Sequence, residues 1–161
     1  MTINQVDFKD HTIIISSKKR PYAILAVLLL LTIFSLLVPV FATVIVLKRG
    51  IESKIGLAIT FMLFGGTGIY FIRMILWNLF GQEVIKLTDG KLEYFCDYKF
   101  FKDNLQTLKL SKLKIDLCKT EEKENEGIFL KISDGENEIE TTFKLLKAEG
   151  ELIEERIKNA L

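Results

Sequence analysis

Histidine, cysteine and proline are scarce in this chain of 161 residues, which has one His, two Cys and two Pro. His11 stands alone, and Cys96 and Cys118 are 22 positions apart without a Cys-x-x-Cys pair. Neither a Cys/His metal site nor a disulfide framework can be built from so few residues at these spacings. The two thiols are typical of small packing residues in a reducing compartment.

Charged side chains are absent from two long stretches, residues 21–47 and 55–72. The first 80 residues carry eight Lys and Arg against three Asp and Glu, whereas the remaining residues carry 14 against 18. This concentration of apolar residues in the first half excludes a simple soluble globular protein. The abundance of Leu, Ile, Val and Phe excludes an intrinsically disordered chain, because most segments can bury apolar surface.

The two uncharged stretches predict membrane-spanning helices at residues 22–47 and 55–80. Each has 26 residues, which exceeds the roughly 20 needed to cross a hydrocarbon core. A cleaved signal peptide is the alternative for the first stretch, but the apolar region of a signal peptide has only about 7–15 residues. We therefore expect a transmembrane helical hairpin over residues 22–80.

The short connection, residues 48–54, requires the two helices to be antiparallel, so both termini are predicted on one side of the membrane. Seven Lys and Arg lie near the outer ends of the hairpin, against three in the connection. Because loops rich in Lys and Arg stay on the cytoplasmic side, this difference predicts cytoplasmic termini.

Four residues are predicted anchors at the membrane interface. Tyr22, Tyr70 and Trp77 suit the aromatic belt at headgroup level. Arg73 can extend its guanidinium to the headgroups while its stem stays in the apolar layer. The alternative for Arg73, a place in an ion or proton pathway, lacks an acidic partner in either predicted span.

Small residues on the second helix predict a packing face. Ala58, Gly65 and Gly68 fall on one side of an ideal helix, and small residues in register allow membrane helices to approach closely. We expect this face to pack on the first helix of the same chain. A helix of another protein is the alternative partner.

After residue 80 the pattern changes to short strands and turns. Asp-Gly pairs at 89–90 and 134–135 predict tight hairpin turns, and residues 112–118 alternate strictly between apolar and polar. Residues 146–161 carry apolar side chains at helical spacing. Residues 81–161 therefore predict an antiparallel meander of about six strands, closed by a C-terminal amphipathic helix.

The N-terminal segment, residues 1–21, is polar and contains one predicted strand at 11–17. An isolated strand leaves its backbone groups and its isoleucines without partners. We therefore expect this strand to join the sheet formed after residue 80, so that both ends of the chain build one soluble domain.

This order of elements resembles the bacterial membrane-anchored PH-like domain proteins, as does the junction Arg73-Met-Ile-Leu-Trp77-Asn-Leu-Phe-Gly81-Gln-Glu83. The layout is also similar to the photosystem I assembly factor family, although residues 98–103 replace a Gly- and Pro-containing turn of those proteins, and no photosynthetic role is predicted. The resemblance implies a membrane α+β fold. Its parts are a two-helix transmembrane hairpin and an antiparallel β-rich PH-like domain, and its location is the bacterial inner membrane.

No catalytic, metal-binding or cofactor-binding residue is predicted. The glycine-rich stretch 65–68 lies inside a predicted span and lacks the Lys-Ser/Thr of a phosphate loop. The acidic segment 121–126 lacks the ligand spacing of a calcium loop. We therefore expect a protein that is not an enzyme and takes no cofactor.

A candidate interaction surface lies in the segment Tyr98, Lys99, Phe100, Phe101 and Lys102. Aromatic rings beside lysines can enter a partner's pocket or contact an anionic headgroup. The alternative is that Phe100 and Phe101 close the end of the predicted barrel. A nucleic-acid partner is not predicted, because the second half of the chain is acidic.

The predicted function is that of an integral membrane protein, without catalysis, that presents a cytoplasmic PH-like interaction module in a scaffold or assembly role. Its predicted partners are the lipid bilayer and a protein of unknown identity. The alternative is an accessory or regulatory subunit of a membrane transport or secretion complex.

Overall fold

The chain divides into a helical unit, residues 20–79, and a β unit formed by residues 1–19 and 80–161. A computed structural model describes residues 5–17, 22–49, 54–119 and 127–159. The fold is α+β, with two apolar helices and antiparallel sheets.

The helical unit contains two long apolar helices. Helix α1 is Tyr22–Arg49, and the second helix begins as α2, Lys54–Thr60, passes through a π-helical turn, Phe61–Gly65, and continues as α3, Gly66–Phe80. Their lengths are 28 and 27 residues and their mean hydropathies 2.9 and 1.9, so both are long and apolar enough to cross a membrane. Only 22% and 6% of their most apolar windows are buried, which distinguishes them from the core helices of a soluble protein.

The two helices meet through small and polar side chains. Leu28, Thr32, Ser35 and Pro39 are buried along one face of α1. The Ser35 hydroxyl donates a hydrogen bond to the Phe64 carbonyl oxygen at 2.5 Å. A Cβ atom at Gly68 would stand 3.0 Å from Leu36 Cδ2, so the absence of a side chain there permits the close approach.

The predicted packing face of the second helix needs correction, because only Gly68 of its three residues is buried within the chain. Ala58 is exposed, and a Cβ atom at Gly65 would meet nothing within 4 Å. The π-helical turn, Phe61–Gly65, closes hydrogen bonds over five residues instead of four and so rotates the preceding residues relative to the following ones.

The β unit contains two antiparallel sheets and one helix. The five-stranded sheet has its strands in chain order: β1 Val6–Lys9, β2 Thr12–Ser16, β3 Gln82–Thr88, β4 Lys91–Asp97 and β5 Lys102–Lys109. A 3₁₀ turn, Leu110–Lys112, leads into the three-stranded sheet: β6 Lys114–Lys119, β7 Ile128–Ser133 and β8 Glu138–Glu140. Helix α4, Lys147–Lys158, follows.

The N-terminal segment contributes two strands to the larger sheet, where the sequence predicts one. Strand β2 pairs antiparallel with β3, and β1 adds to the free edge of β2. Only Val6 is buried in β1, so that strand lacks the alternating apolar pattern by which β2 is predicted. Residues 81–161 hold the six strands that the sequence predicts, β3 to β8, but these divide between two sheets instead of forming one meander. With β1 and β2, the described residues hold eight strands.

The core of the β unit is apolar and comes from both sheets and from α4. Its fully buried side chains include Ile13, Ile15, Ile85, Leu92, Leu108, Leu130, Ile132, Ile139, Ile153 and Ile157. Helix α4 lies so close to β7 that a Cβ atom at Gly150 would overlap Ile128 Cδ1. The helix begins one residue later than predicted, since Leu146 has extended backbone and is half exposed. The predicted C-terminal end at residues 160–161 lies outside the described residues.

Hydrogen bonds join the two ends of the chain within the β unit. The Glu149 carboxylate accepts the backbone N–H groups of Gln5 at 2.8 Å and Leu146 at 3.1 Å. Arg156 Nη2 donates to the Asp10 carbonyl oxygen at 2.8 Å. The N-terminal strands are therefore held by the C-terminal helix as well as by β3.

Candidate functional site

The chain turns tightly between β4 and β5, and residues 98–102, which include the first residue of β5, are called here the 98–102 loop. The Tyr98 N–H donates to the Phe101 carbonyl oxygen at 3.0 Å, and the Lys99 N–H donates to Asp97 Oδ1 at 2.7 Å. Lys99 has φ +73°, a conformation that non-glycine residues adopt rarely. The two hydrogen bonds hold the backbone in this shape.

The three aromatic residues of the 98–102 loop have different environments. Tyr98 is buried, and its ring stacks on Phe101 with a centroid separation of 4.5 Å. Phe101 is 41% exposed and Phe100 is 69% exposed. Tyr98 is therefore not part of the exposed surface that the sequence predicts. It packs into the β unit, which is the alternative predicted from the sequence for Phe100 and Phe101.

Phe80 contacts the 98–102 loop from within the β unit. The rings of Phe80 and Phe100 meet edge to face at 5.8 Å, and Lys99 Nζ lies 4.9 Å from the centroid of Phe80. Lys102 Nζ lies 4.4 Å from the ring centroid of Phe95. Both lysines are exposed, so the loop presents two ammonium groups, one over the ring of Phe80 and one over the ring of Phe95.

The predicted interface anchors lie on α1 and α3. Tyr22, Tyr70 and Arg73 are exposed, and Trp77 is half-buried. Tyr22 is the first residue of α1, and Trp77 lies one turn before the end of α3. Tyr70 is ten residues before Phe80, or about 15 Å along the helix, which places it nearer the middle of the second helix than its end.

A buried carboxyl group was not identified as a site from the sequence. Glu83 on β3 is fully buried, and its Oε1 accepts hydrogen bonds from the Tyr94 hydroxyl at 3.0 Å and the Thr142 N–H at 2.5 Å. Its Oε2 has no hydrogen-bond partner among the residues that the structure describes. The alternation along β3 puts Glu83 on the same face as Ile85 and Leu87. That pattern in the sequence could have predicted its burial.

The surroundings of Glu83 favour uncharged side chains. Burial raises the pKa of the Glu83 carboxyl, and the hydrogen bonds from Thr142 offset part of that rise. Burial, together with the negative charge of Glu83, raises the pKa of Tyr94, and burial also raises the pKa of the Cys96 thiol. Because the thiolate is the nucleophilic form of cysteine, this environment suits Cys96 to packing.

Two open grooves lie elsewhere on the β unit. One, of about 430 Å³, is beside the β3–β4 turn and is lined by His11, Lys86, Asp89 and Leu110 among others. The other, of about 350 Å³, lies along α4 and is lined by Phe8, Leu152, Glu155, Arg156 and Asn159. Neither holds a group of three or more His, Cys, Asp or Glu that could bind a metal ion, and the rest of the described chain has none.

The chain matches no protein-family model, no curated protein and no solved structure. Its function is therefore inferred from its own residues, of which the 98–102 loop combines the most exposed aromatic side chain of the β unit with two lysines.

Proposed function

We propose that this chain is an integral membrane protein that acts without catalysis and presents its β unit as an interaction module in a scaffold or assembly role. The two apolar helices would cross the bacterial inner membrane. The exposed leucines, isoleucines and phenylalanines that cover α1 support this placement, because a bilayer removes such side chains from water.

The pairing of β2 with β3 is the observation that carries the proposal. Ser16 at the end of β2 lies opposite Gln82 at the start of β3. The chain therefore leaves the sheet for the helical unit and returns to it at neighbouring positions. A pair of helices that crosses a membrane can satisfy this constraint only as a hairpin, so both halves of the β unit would lie on the same side.

The distribution of positive charge supports the cytoplasmic side. Seven Lys and Arg flank the outer ends of the helices against three in the connection, and such residues are retained in the cytoplasm. A PH-like fold is supported by the order of the elements in the β unit, in which two antiparallel sheets precede one C-terminal helix.

Cysteine labelling in intact cells tests the topology. In a background with both native cysteines replaced by alanine, Ser53→Cys places a thiol in the connection between the helices, and the matched Ser111→Cys places one on the exposed 3₁₀ turn of the β unit. We expect a membrane-impermeant maleimide to label Ser53→Cys in intact cells and Ser111→Cys only after permeabilisation. The reverse order would contradict cytoplasmic termini.

Crosslinking in cells, followed by purification in mild detergent, tests the interaction role. Gly150→Val should displace α4 from β7 and leave the apolar helices in the membrane. We expect a specific protein to be crosslinked to the natural chain and lost from this variant. Equal capture by both would assign binding to the helical unit, and a stoichiometric transport or secretion complex would favour the alternative function.

A further inference from the structure

We propose that the 98–102 loop binds the anionic phospholipid headgroups of the membrane that the helices cross. The Lys99 and Lys102 ammonium groups would contact lipid phosphates, and the Phe100 ring would enter the interfacial layer. This inference rests on the proposed function, because it requires α3 to end at a membrane surface.

The position of the loop follows from its contacts with Phe80. Phe80 is the last residue of α3 and belongs to the β unit. Its ring contacts Phe100 at 5.8 Å and lies 4.9 Å from Lys99 Nζ. Phe80 directly follows Leu79, the last residue of the helical unit, in the chain. In the proposed membrane placement, a loop in contact with Phe80 would therefore lie near the depth at which the helix leaves the hydrocarbon.

The chemistry of the exposed side chains matches that depth. Phe100 and Leu105 are 69% and 70% exposed, and both are large apolar side chains at or just after the 98–102 loop. Lys99 and Lys102 are exposed at neighbouring positions of the chain. Apolar side chains next to lysines are the combination that binds at the boundary between acyl chains and anionic headgroups.

Charge complementarity favours a lipid over a nucleic acid. Residues 81–161 carry 14 Lys and Arg against 18 Asp and Glu, so this larger part of the β unit repels polyanions that extend across its surface. Within the 98–102 loop itself the charged residues are Lys99 and Lys102, with no acid between them. A negatively charged membrane surface can meet this loop alone, because its attraction falls off within about 8 Å at physiological salt.

The test uses the full chain in lipid nanodiscs made of phosphatidylcholine alone or of an equal mixture with phosphatidylglycerol. A fluorophore on Leu105→Cys, in the background without native cysteines, reports contact with headgroup spin-labelled lipid through quenching. We expect stronger quenching in the anionic discs. Lys99→Gln with Lys102→Gln should remove this difference, with the membrane-contacting population falling about fivefold for each lysine neutralised. Phe100→Ser should reduce quenching in both kinds of disc.

Matched controls separate loop chemistry from general effects. Lys91→Gln with Lys112→Gln removes the same charge near the opposite end of β4, about 20 Å away along the strand, and should leave quenching unchanged. Equal quenching in both discs, or quenching insensitive to Lys99 and Lys102, would overturn the inference while leaving membrane insertion intact. If the variant with Lys99→Gln and Lys102→Gln loses a crosslinked protein but shows unchanged quenching, the inference is also overturned, because the loop then binds a protein partner. Failure of the natural chain to enter nanodiscs would instead contradict the proposed function.

Discussion

The helical unit and the β unit place apolar and polar side chains in opposite ways. Large apolar side chains cover the outside of α1, and its buried face includes Thr32, Ser35 and Pro39. In the β unit the buried set is mostly Ile, Leu and Val, and exposed large apolar side chains are few. The hydrophobic effect orders a structure in water, whereas helices in lipid associate through close packing and hydrogen bonds. This contrast is the one expected if the helices lie in lipid and the β unit in water, as proposed above.

The largest expected effect comes from truncating a buried apolar side chain of the β unit. Ile153→Ala removes a fully buried side chain of α4 and should destabilise the β unit by about 2–5 kcal/mol. Its matched control, Leu152→Ala, alters a neighbouring side chain that is 53% exposed and should change stability by less than about 0.5 kcal/mol. Amide hydrogen exchange of β7 and α4 in detergent measures both. Equal effects would contradict the assignment of this core.

The stability of the contact between the two helices should depend on the size of the side chain at the crossing point. Gly68→Leu would add a side chain beside Leu36 and should weaken helix association by about 1–3 kcal/mol. Gly65→Leu adds the same atoms where a Cβ meets nothing within 4 Å and serves as the control. The midpoint of unfolding in mixed micelles, followed by the fluorescence of the single tryptophan, measures the difference. A larger effect at Gly65 would be inconsistent with the crossing at Gly68.

Glu83 breaks the pattern of an apolar core in the β unit and should make stability depend on pH. Because burial raises its pKa in the folded state, the folded protein binds more protons than the unfolded one above the ordinary carboxyl pKa of 4.5. The contribution of Glu83 to stability is therefore present below that pH and is lost as the pH rises through the folded-state pKa. Glu83→Gln should remove this decline, as measured by β-unit unfolding between pH 4 and pH 8. An unchanged decline would exclude Glu83 as its source.

Asp134 should give a smaller pH dependence of opposite sign. Its carboxylate accepts the backbone N–H groups of Asn137, Glu136 and Lys109, and these hydrogen bonds lower its pKa. Its contribution is therefore present above the ordinary pKa of 3.8 and is lost as the pH falls through the lowered value. Asp134→Asn should reduce this loss of β-unit stability at acid pH. Persistence of the full loss in the variant would assign it to other carboxylates.

Much of the architecture was accessible from local patterns. The first predicted span ends within two residues of α1, and the second within one residue of the combined second helix. The Asp-Gly pair at 89–90 connects β3 to β4, with Gly90 at φ +74°. These features depend on neighbouring residues, because span length, turn geometry and strand alternation are properties of a continuous segment.

The sequence predicted the 98–102 loop only in part. The sequence identifies its aromatic and basic composition, but Tyr98 proves to be buried, and the contacts that Phe80 makes with the loop come from a residue 20 positions away. Composition predicts which groups a loop contains. It does not determine which of them face water, because that depends on the strands and helices that pack beside the loop.

The sequence by itself determined two apolar helices of membrane-spanning length, the acidic β-rich second half and the amphipathic C-terminal helix. Only the tertiary structure decided that β1 joins the sheet, that Gln5 bonds to Glu149, and that Glu83 meets Thr142, pairs separated by 144 and 59 positions. It also decided that a π-helical turn removes Ala58 from the packing face. The physical reason is that local propensity acts over a few residues, whereas burial and hydrogen-bond pairing are settled between segments that meet only when the whole chain folds.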